Sequence, residues 1–540
     1  MPSKFLIESR QMKVLNKAIK AFILAFVFLF LAISNSFANN LNITNVSLAQ
    51  RNPSADTLVV KFNVSWENSW KTKINHDAVW LTVRLNNPAV VPTDKKLCQV
   101  SVSGVNPTGS SVGSNSALEI YIPADKKGAF LRPVNYGVFS STASTDVQLT
   151  IDYSTCGFQD SDNALASVFG VEMVYIPKGS FFAGDFDTSA ASFDEGSADS
   201  DPWNILSEAA ISVANPASNG YRYVSNGNAG EDATGTSFTL GESFPKGYQS
   251  FYAMKYPVTE GQWVDFINSL PSAARSSHDL TDSSHKNTDS VLYRNTISCS
   301  GSPLVCSTQR SSRALSYLSW VDVSAYLDWS ALRPMTELEF EKMARGSVLP
   351  VSGEFSWGSV DIVPAVTISE SSEDGSETIS DLGANANFNN TTFSGGDTAG
   401  GAEYQNGPLR VGIFAKASST RVSAGAGYYG VMELSGNLRE PVVTVGNLSG
   451  RNFQGTNGDG ILTTASGSEG YATNSDWPGI DVVVSHGVTG SLGSGVRGGS
   501  WDDQLSGARL RISDRFDAAK SASLAENNLG GRGVRTYDGN

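Results

Sequence analysis

Every second residue of DTLVVKFNVSW, from Leu58 through Val60, Phe62 and Val64 to Trp66, is apolar, and mostly polar residues fill the gaps. A period of two is that of a strand with one face in a core and one in water. VWLTVRL (Val79–Leu85), LEIYIP (Leu118–Pro123) and DVQLTIDY (Asp146–Tyr153) repeat the pattern, with Gly, Pro, Asn and Ser between them. Several short strands so punctuated predict an all-β sandwich over residues 40–156, with Trp66, Trp70 and Trp80 as core residues. Polar residues 157–168 then read as a linker.

The chain has 540 residues, too many for one ordinary core, so a second domain is expected. Ahead of the sandwich, Lys13, Lys17 and Lys20 precede a 13-residue apolar run, Ala21–Ile33, and Ser36-Phe37-Ala38 offers small residues for cleavage. The run is shorter than the roughly 20 residues needed to span a bilayer, so residues 1–38 read as a signal peptide with no stable membrane span after cleavage. That places the protein outside the cytoplasm: periplasmic, on the cell surface or secreted. The formal charge of −14 becomes −18 once the signal leaves with its five Lys/Arg and one Glu. An acidic chain without a basic cluster repels nucleic acid and anionic membranes.

An even set of four cysteines in an exported chain suggests disulfides. Their positions favour Cys98 with Cys156 and Cys299 with Cys306, although spacing alone admits other pairings. There is no CxxC or CxxH, and His76, His278, His285 and His486 are scattered, which argues against a Cys/His zinc site.

The second domain is expected over 169–540, opening at the apolar VEMVYIPKGSFFAGD (Val171–Asp185). Two polar stretches in it, at about 184–240 and 360–405, read as surface insertions. Helices are few. LSWVDVSAYLDWSAL (Leu318–Leu332) has apolar residues at helical spacing, and TEGQWVDFINSL (Thr259–Leu270) is a second candidate. RPMTELEFEKMARG offers Thr336 and Glu339 as a capping box, Leu338, Phe340 and Met343 as buried residues, and Gly346 as a stop. Short capped helices among irregular loops indicate an α+β fold. GVRGGSWDD, with two glycines ahead of Ser500 and Trp501, reads as a rigid turn.

VEMVYIPKGSFFAGD, FYAMKYPVTEGQWVDFIN, LSWVDVSAYLDWSALRPMTELEFEKMARG, YGVMELSGNLREPVV, VRGGSWDD and LGGRGVR follow one another in that order. Together they resemble the formylglycine-generating enzyme (sulfatase-modifying factor) family over about residues 170–538, with the insertions unmatched. The resemblance implies a C-type-lectin-like variant fold. Members of the family include sulfatase-activating oxidases, ergothioneine-pathway iron enzymes, gliding-associated lipoproteins and exported proteins without an assigned role.

The oxidising members hold copper between two cysteines just after the GGS motif, a soft-ligand pair suited to Cu(I). Those positions here are Asp503 and Ala508, and no cysteine follows Cys306. The resemblance therefore implies neither copper nor formylglycine generation. The iron branch needs clustered histidines, which no segment of this sequence supplies. Calcium fares better: the family's ELSGNLRE-like segment binds it through oxygens, at positions matching Glu433, Gly436, Leu438 and Glu440. Arg439 and Pro441 depart from the usual aromatic residues there, and a second, weaker match lies at Asn385 and Asn387. Trp501 is read as fold-defining, Arg511 and Arg515 as partners of core carboxylates or of a ligand, and Asp502 and Asp503 as solvated or metal-bound. The functional expectation is a non-catalytic exported protein that binds a protein or glycan or serves surface assembly. The alternative is an oxidase or modifying enzyme of the formylglycine-generating or non-haem-iron type with an altered site.

Overall fold

The alternating segment Thr57–Ser65 is a strand with antiparallel partners on both sides. It belongs to a computed structural model that describes residues 40–539, except 90–93, 142–143, 187, 196–200, 215–220, 224–226, 229, 233–236, 370–371, 417–418 and 505–506. The expected signal peptide, residues 1–38, lies outside the described residues. The strands that organise the fold are β1 (Asn42–Asn52), β2 (Thr57–Ser65), β3 (Asp77–Asn86), β4 (Gln99–Val100), β5 (Leu118–Ile122) and β6 (Ala129–Pro133). They continue with β7 (Thr145–Asp152), β8 (Leu165–Ile176), β9 (Phe251–Met254), β10 (Arg333–Pro334) and β11 (Gly533–Thr536). Three helices matter: α1 (Glu260–Asn268), α2 (Trp320–Trp329) and α3 (Glu337–Arg345).

One sheet runs β1-β2-β7-β4, and a nine-stranded sheet runs β10-β11-β9-β8-β3-β6-β5 before ending in Gly104–Val105, with Lys96–Leu97 also paired to β3. The two sheets enclose a core in which Leu58, Val60, Phe62 and Val64 of β2 meet Val79, Leu81, Val83 and Leu85 of β3. Each such side chain stabilises by about 1.5–3 kcal/mol when withdrawn from water. A disulfide joins Cys98 to Cys156 at the edge of this core, and a second joins Cys299 to Cys306 across a short hairpin.

The nine-stranded sheet serves a second core on its other face. Ala78 and Trp80 of β3, Phe130 of β6, and Val171 and Met173 of β8 point away from the sandwich and pack with residues of α1 and α2. All ten residues of β3 are buried, Thr82 and Arg84 included. The half-buried reading of VWLTVRL is thus corrected: its polar residues face the second core instead of water. The boundary expected at 157–168 is crossed by β8, which pairs with β3 from Leu165 to Val174 and with β9 from Met173 to Ile176. All described residues belong to one compact unit.

The Thr336/Glu339 capping box forms on α3 as the sequence suggests, and the structure adds two more, Thr259 with Gln262 on α1 and Ser319 with Asp322 on α2. The stretches read as surface insertions contribute to the interior. In the first, Trp203 is fully buried against Phe193, with its indole N–H donating to the Asp194 carbonyl at 2.8 Å. In the second, Ala365, Ile368, Ile379 and Phe393 share a small core with Leu409, Ile413 and Phe414. Nearby, Glu373 is clasped by Arg294 and, at 2.7 Å, by Arg313. Their polar composition reflects loop backbone and buried ion pairs as much as solvent exposure.

Trp80, expected in the sandwich core, instead anchors β3 to the second core. Its indole N–H donates to the Ser330 carbonyl at 2.9 Å, and the Arg535 guanidinium lies 4.2 Å over its ring. Trp80→Ala is expected to cost about 3–5 kcal/mol. Because the cores share a sheet, near- and far-ultraviolet circular dichroism should melt together in wild type and variant. Two separated transitions would contradict the shared sheet.

Candidate functional site

The GGS turn leaves the strand Ser494–Arg497, which pairs antiparallel with Glu440–Val443. Gly498 and Gly499 adopt φ of +90° and +64°. A Cβ at Gly498 would sit 2.9 Å from the Leu434 carbonyl oxygen, and one at Gly499 would sit 2.6 Å from Leu510 Cδ1. Conformation and space both demand glycine at these two positions. Ser500 follows, fully buried, and its amide donates to Asp503 Oδ2 at 2.8 Å. Its hydroxyl is shared between Asp502 Oδ1 at 2.6 Å and Asp503 Oδ2 at 2.9 Å. Asp502 also accepts from Asn528 Nδ2, at 3.0 and 2.9 Å.

Trp501 is buried, and its indole N–H donates to the Asn527 carbonyl at 3.2 Å. The carbonyls of Trp501 and Asp503 accept amides of Asn390 and Asn389, both at 2.7 Å, so the second insertion is laced to the turn. Ala508 opens a short 3-10 helix, Ala508–Leu510. The recess beside Asp503, which Arg439, Arg509 and Asp514 also line, measures about 10 Å³, room for a single water. Arg439 reaches over the turn with its Nη atoms 3.9 Å from Asp502 and 3.9 Å from Asp517. Asp502 and Asp503, read from sequence as solvated or metal-bound, thus both take part in the turn's scaffold.

Behind the turn lies a lattice of buried charge on α3. Glu337 receives Arg515 Nε at 2.7 Å and Arg497 Nη1 at 3.2 Å. Glu341 receives Arg497 Nη2 at 2.7 Å and Arg345 Nη1 at 3.1 Å. Arg333 grips Glu339 with two nitrogens, at 2.9 and 2.6 Å. Of the two arginines the sequence offered as partners of core carboxylates, Arg515 is one. Arg511 instead donates to the Thr188 carbonyl at 2.9 Å.

At the positions matched to a calcium site, Glu433 and Glu440 are both buried. Glu440 is held by Arg532, whose Nε lies 2.8 Å from Oε2 and whose Nη2 lies 2.7 Å from Oε1. The rest of that guanidinium donates to the carbonyls of Met254 and Met432, each at 2.7 Å. Glu433 accepts the Gly412 amide on Oε1, while its buried Oε2 has no partner. Burial pushes its carboxyl up to about 7, against the pull of the Gly412 amide, Arg532 and Arg410. The Gly436 amide donates to the Gly498 carbonyl at 2.9 Å, and the Leu438 side chain lies in the core beside Trp501. Asn385 and Asn387 bind neighbouring loops: Asn385 accepts the Val363 amide at 3.0 Å, and Asn387 donates to Gly407 at 3.0 Å and to Asn437 at 3.1 Å.

Residues 235–537, more than half of the chain, match the family described as sulfatase-modifying factor enzyme 1-like domain. The chain belongs to this family. No curated protein matches it. Among solved structures it has a slight likeness to domains D2 and D3 of the major pilin SpaD from Corynebacterium diphtheriae. That likeness is 12% identity over 39% of this chain and 72% of that one at a TM-score of 0.13, too low to carry an argument. Among the described residues of this sulfatase-modifying-factor-like chain, no helix is long and apolar enough to cross a membrane.

The family domain also holds a constellation that sequence reading missed. His278 and His285, scattered in sequence from Asp322, converge on its carboxylate. His278 Nδ1 lies 2.8 Å from Oδ1 and His285 Nε2 lies 3.0 Å from Oδ2. The remaining ring nitrogens face the Gly470 carbonyl at 2.9 Å and Asp282 Oδ1 at 3.0 Å. All four ring nitrogens thus lie within hydrogen-bond distance of protein oxygens, with Ser284 Oγ also 2.9 Å from His285 Nδ1.

Burial alone would lower the His285 pKa, but the charge and hydrogen bond of Asp322, together with Asp282, push it up to about 9. Burial would raise that of Asp322, yet the two imidazoles hold it well below the carboxylate range. Since His285 is raised from 6.5, its contribution is complete below that pH and disappears as pH climbs through about 9. The melting temperature should therefore fall between pH 6.5 and 9.5, by the equivalent of roughly 2–3 kcal/mol. His285→Gln should flatten that slope, as a thermal-shift pH series would reveal.

Proposed function

We propose that this protein is an exported, non-catalytic member of its family that binds a protein or glycan partner from a C-type-lectin-like scaffold. The observation carrying the reading is the state of the GGS turn. Where the resemblance places two oxidising thiols, Asp503 caps Ser500, and the adjoining recess admits about one water. A carboxylate is a hard donor and cannot replace a thiolate toward Cu(I) or in disulfide exchange. The chain's four cysteines are all consumed in its two disulfides. Those disulfides are compatible with an oxidising compartment outside the cytoplasm. Function on such scaffolds resides in grafted sites, and the long loops supply ample surface for one.

Purified protein incubated with copper and a Cys-x-Pro-x-Arg peptide is expected to produce no aldehyde, by mass spectrometry and by an aldehyde-reactive probe. Formylglycine in that peptide would overturn the non-catalytic reading, as would redox-active copper or iron retained through purification.

For calcium, we infer that the two glutamates offer a poor donor set. Ca²⁺ takes six to eight oxygens, but both carboxylate oxygens of Glu440 are engaged by Arg532, and of the two glutamates only Glu433 keeps an unpartnered oxygen. The Arg532 guanidinium thus fills the role of internal cation. Millimolar Ca²⁺ or a chelator should move the melting temperature by less than about 1 °C. Arg532→Met, which strands Glu440 in the interior, should cost about 3–5 kcal/mol. A calcium-dependent rise of several degrees in the wild type would restore the metal site.

A further inference from the structure

Where the sandwich meets the family domain, beside the Cys98–Cys156 disulfide, a cavity of about 510 Å³ opens. That volume falls in the range of small-molecule sites. Its floor is apolar and comes from separate parts of the chain: Leu97 beside β3, Leu270 and Ala274 just past α1, Trp329 at the end of α2, and Leu462 on the hairpin Leu462–Ala472. Leu97, Leu270, Ala274 and Trp329 are all at least nine-tenths buried.

The walls carry an excess of positive charge, which is unusual on a chain of net charge −14. Four cations line the cavity, Arg84, Lys95, Lys96 and Lys127, against two acids, Asp94 and Glu469. Asp94 is 3.9 Å from Lys96 in a solvent-exposed pair, worth little. Glu469 is turned onto the Gly467 amide at 2.9 Å.

Arg84 is the distinctive member, only 2% exposed. Its Nη1 donates to the Lys95 carbonyl at 2.8 Å, its Nη2 donates to the Trp329 carbonyl, and its guanidinium lies 4.6 Å over the Trp329 ring. Its Nε is buried without a partner, and among the described residues no carboxylate pairs with it. The nearby Asp328 carboxylate is committed to the amides of Asp459 and Thr473, both at 2.8 Å. Arg84 is therefore a guanidinium stacked on an indole, at the wall of a cavity with an apolar floor, with no carboxylate in contact among the described residues. Asp328 and Asp94 act on Arg84 only at a distance, a buried cation with no carboxylate in contact is costly, and an anionic ligand would relieve that cost.

We propose that this cavity is a binding site for a small amphipathic anion, a carboxylate on a compact apolar body. The body lies on Leu270, Ala274 and Trp329, and the acid faces Arg84 and the lysines of the mouth. Free organic acids and the C-terminus of an apolar peptide share this chemistry. The site is separate from the GGS turn, so it stands whether or not the non-catalytic reading does.

Displacement of 8-anilinonaphthalene-1-sulfonate from the intact protein tests the proposal. Decanoate should displace the probe at a concentration at least tenfold below that needed for decanol or decyltrimethylammonium, since only its charge differs in kind. An acetylated tetraleucine acid, set against its amide, separates the peptide source from the free acid. Two variants localise the site. Lys96→Glu with Lys127→Glu reverses the mouth charge at solvent-accessible positions, and Ala273→Trp fills the mouth from an exposed position. Each should weaken decanoate at least tenfold with an unchanged melting temperature. Equal potency of decanol and decanoate, undiminished affinity in both variants, or no displaceable probe on the wild type would each overturn the assignment.

Discussion

The arrangement of the family domain depends on the charges buried around α3. Three glutamates on one nine-residue helix are matched by arginines from distant segments: Arg333 before it, and Arg497 and Arg515 far beyond it. Charges withdrawn from water are tolerated only with good geometry and full pairing, and removal of one partner costs several kcal/mol. The lattice therefore acts less as glue than as a specification of which segments must meet. Arg497 is the residue that precedes the double glycine, so the GGS turn begins at a point fixed from below by Glu337 and Glu341. From there, Ser500, Asp502 and Asp503 close on one another, and Asn389 and Asn390 tie the second insertion over the top. The turn's polar side chains are thus largely committed to its own architecture.

Much of the local structure was legible in the sequence because it follows from local rules. The period of two in Leu58–Trp66 matches the buried face of β2, and the Thr336/Glu339 box does cap α3. Both disulfides join the cysteines that sequence position favoured. What escaped was non-local. Alternation reports that two faces differ, not that the polar face is wet, so Thr82 and Arg84 passed for solvent-facing residues. The Ser- and Gly-rich segments hid Trp203 and Phe393, since composition averages over a loop while burial is decided residue by residue.

The candidate site divides in the same way. The absence of thiols at Asp503 and Ala508 is visible in the sequence, but the role of Asp503 as a cap for Ser500 is a matter of three-dimensional proximity. The match to a calcium segment carried Glu440 along without the information that Arg532, 92 residues later, already neutralises it. His278, His285 and Asp322 form a cluster from residues 44 and 37 positions apart, a distance at which no spacing rule operates.

The burial of β3 on both faces has a consequence for how the chain finds its alignment. A strand with one wet side has its register enforced by hydrophobicity, because a one-residue slip would turn its apolar set outward. In β3 a slip would merely exchange one greasy environment for another, since both sides are interior. Its correct setting must be chosen by the few polar groups that each fit one place only. Asp77 accepts from Trp66, Ser69 and the Trp70 amide at one end, and Arg84 reaches the carbonyls of Lys95 and Trp329 at the other. These two residues work as dowels at the ends of a plank, and the joint between the two halves of the protein is keyed by them.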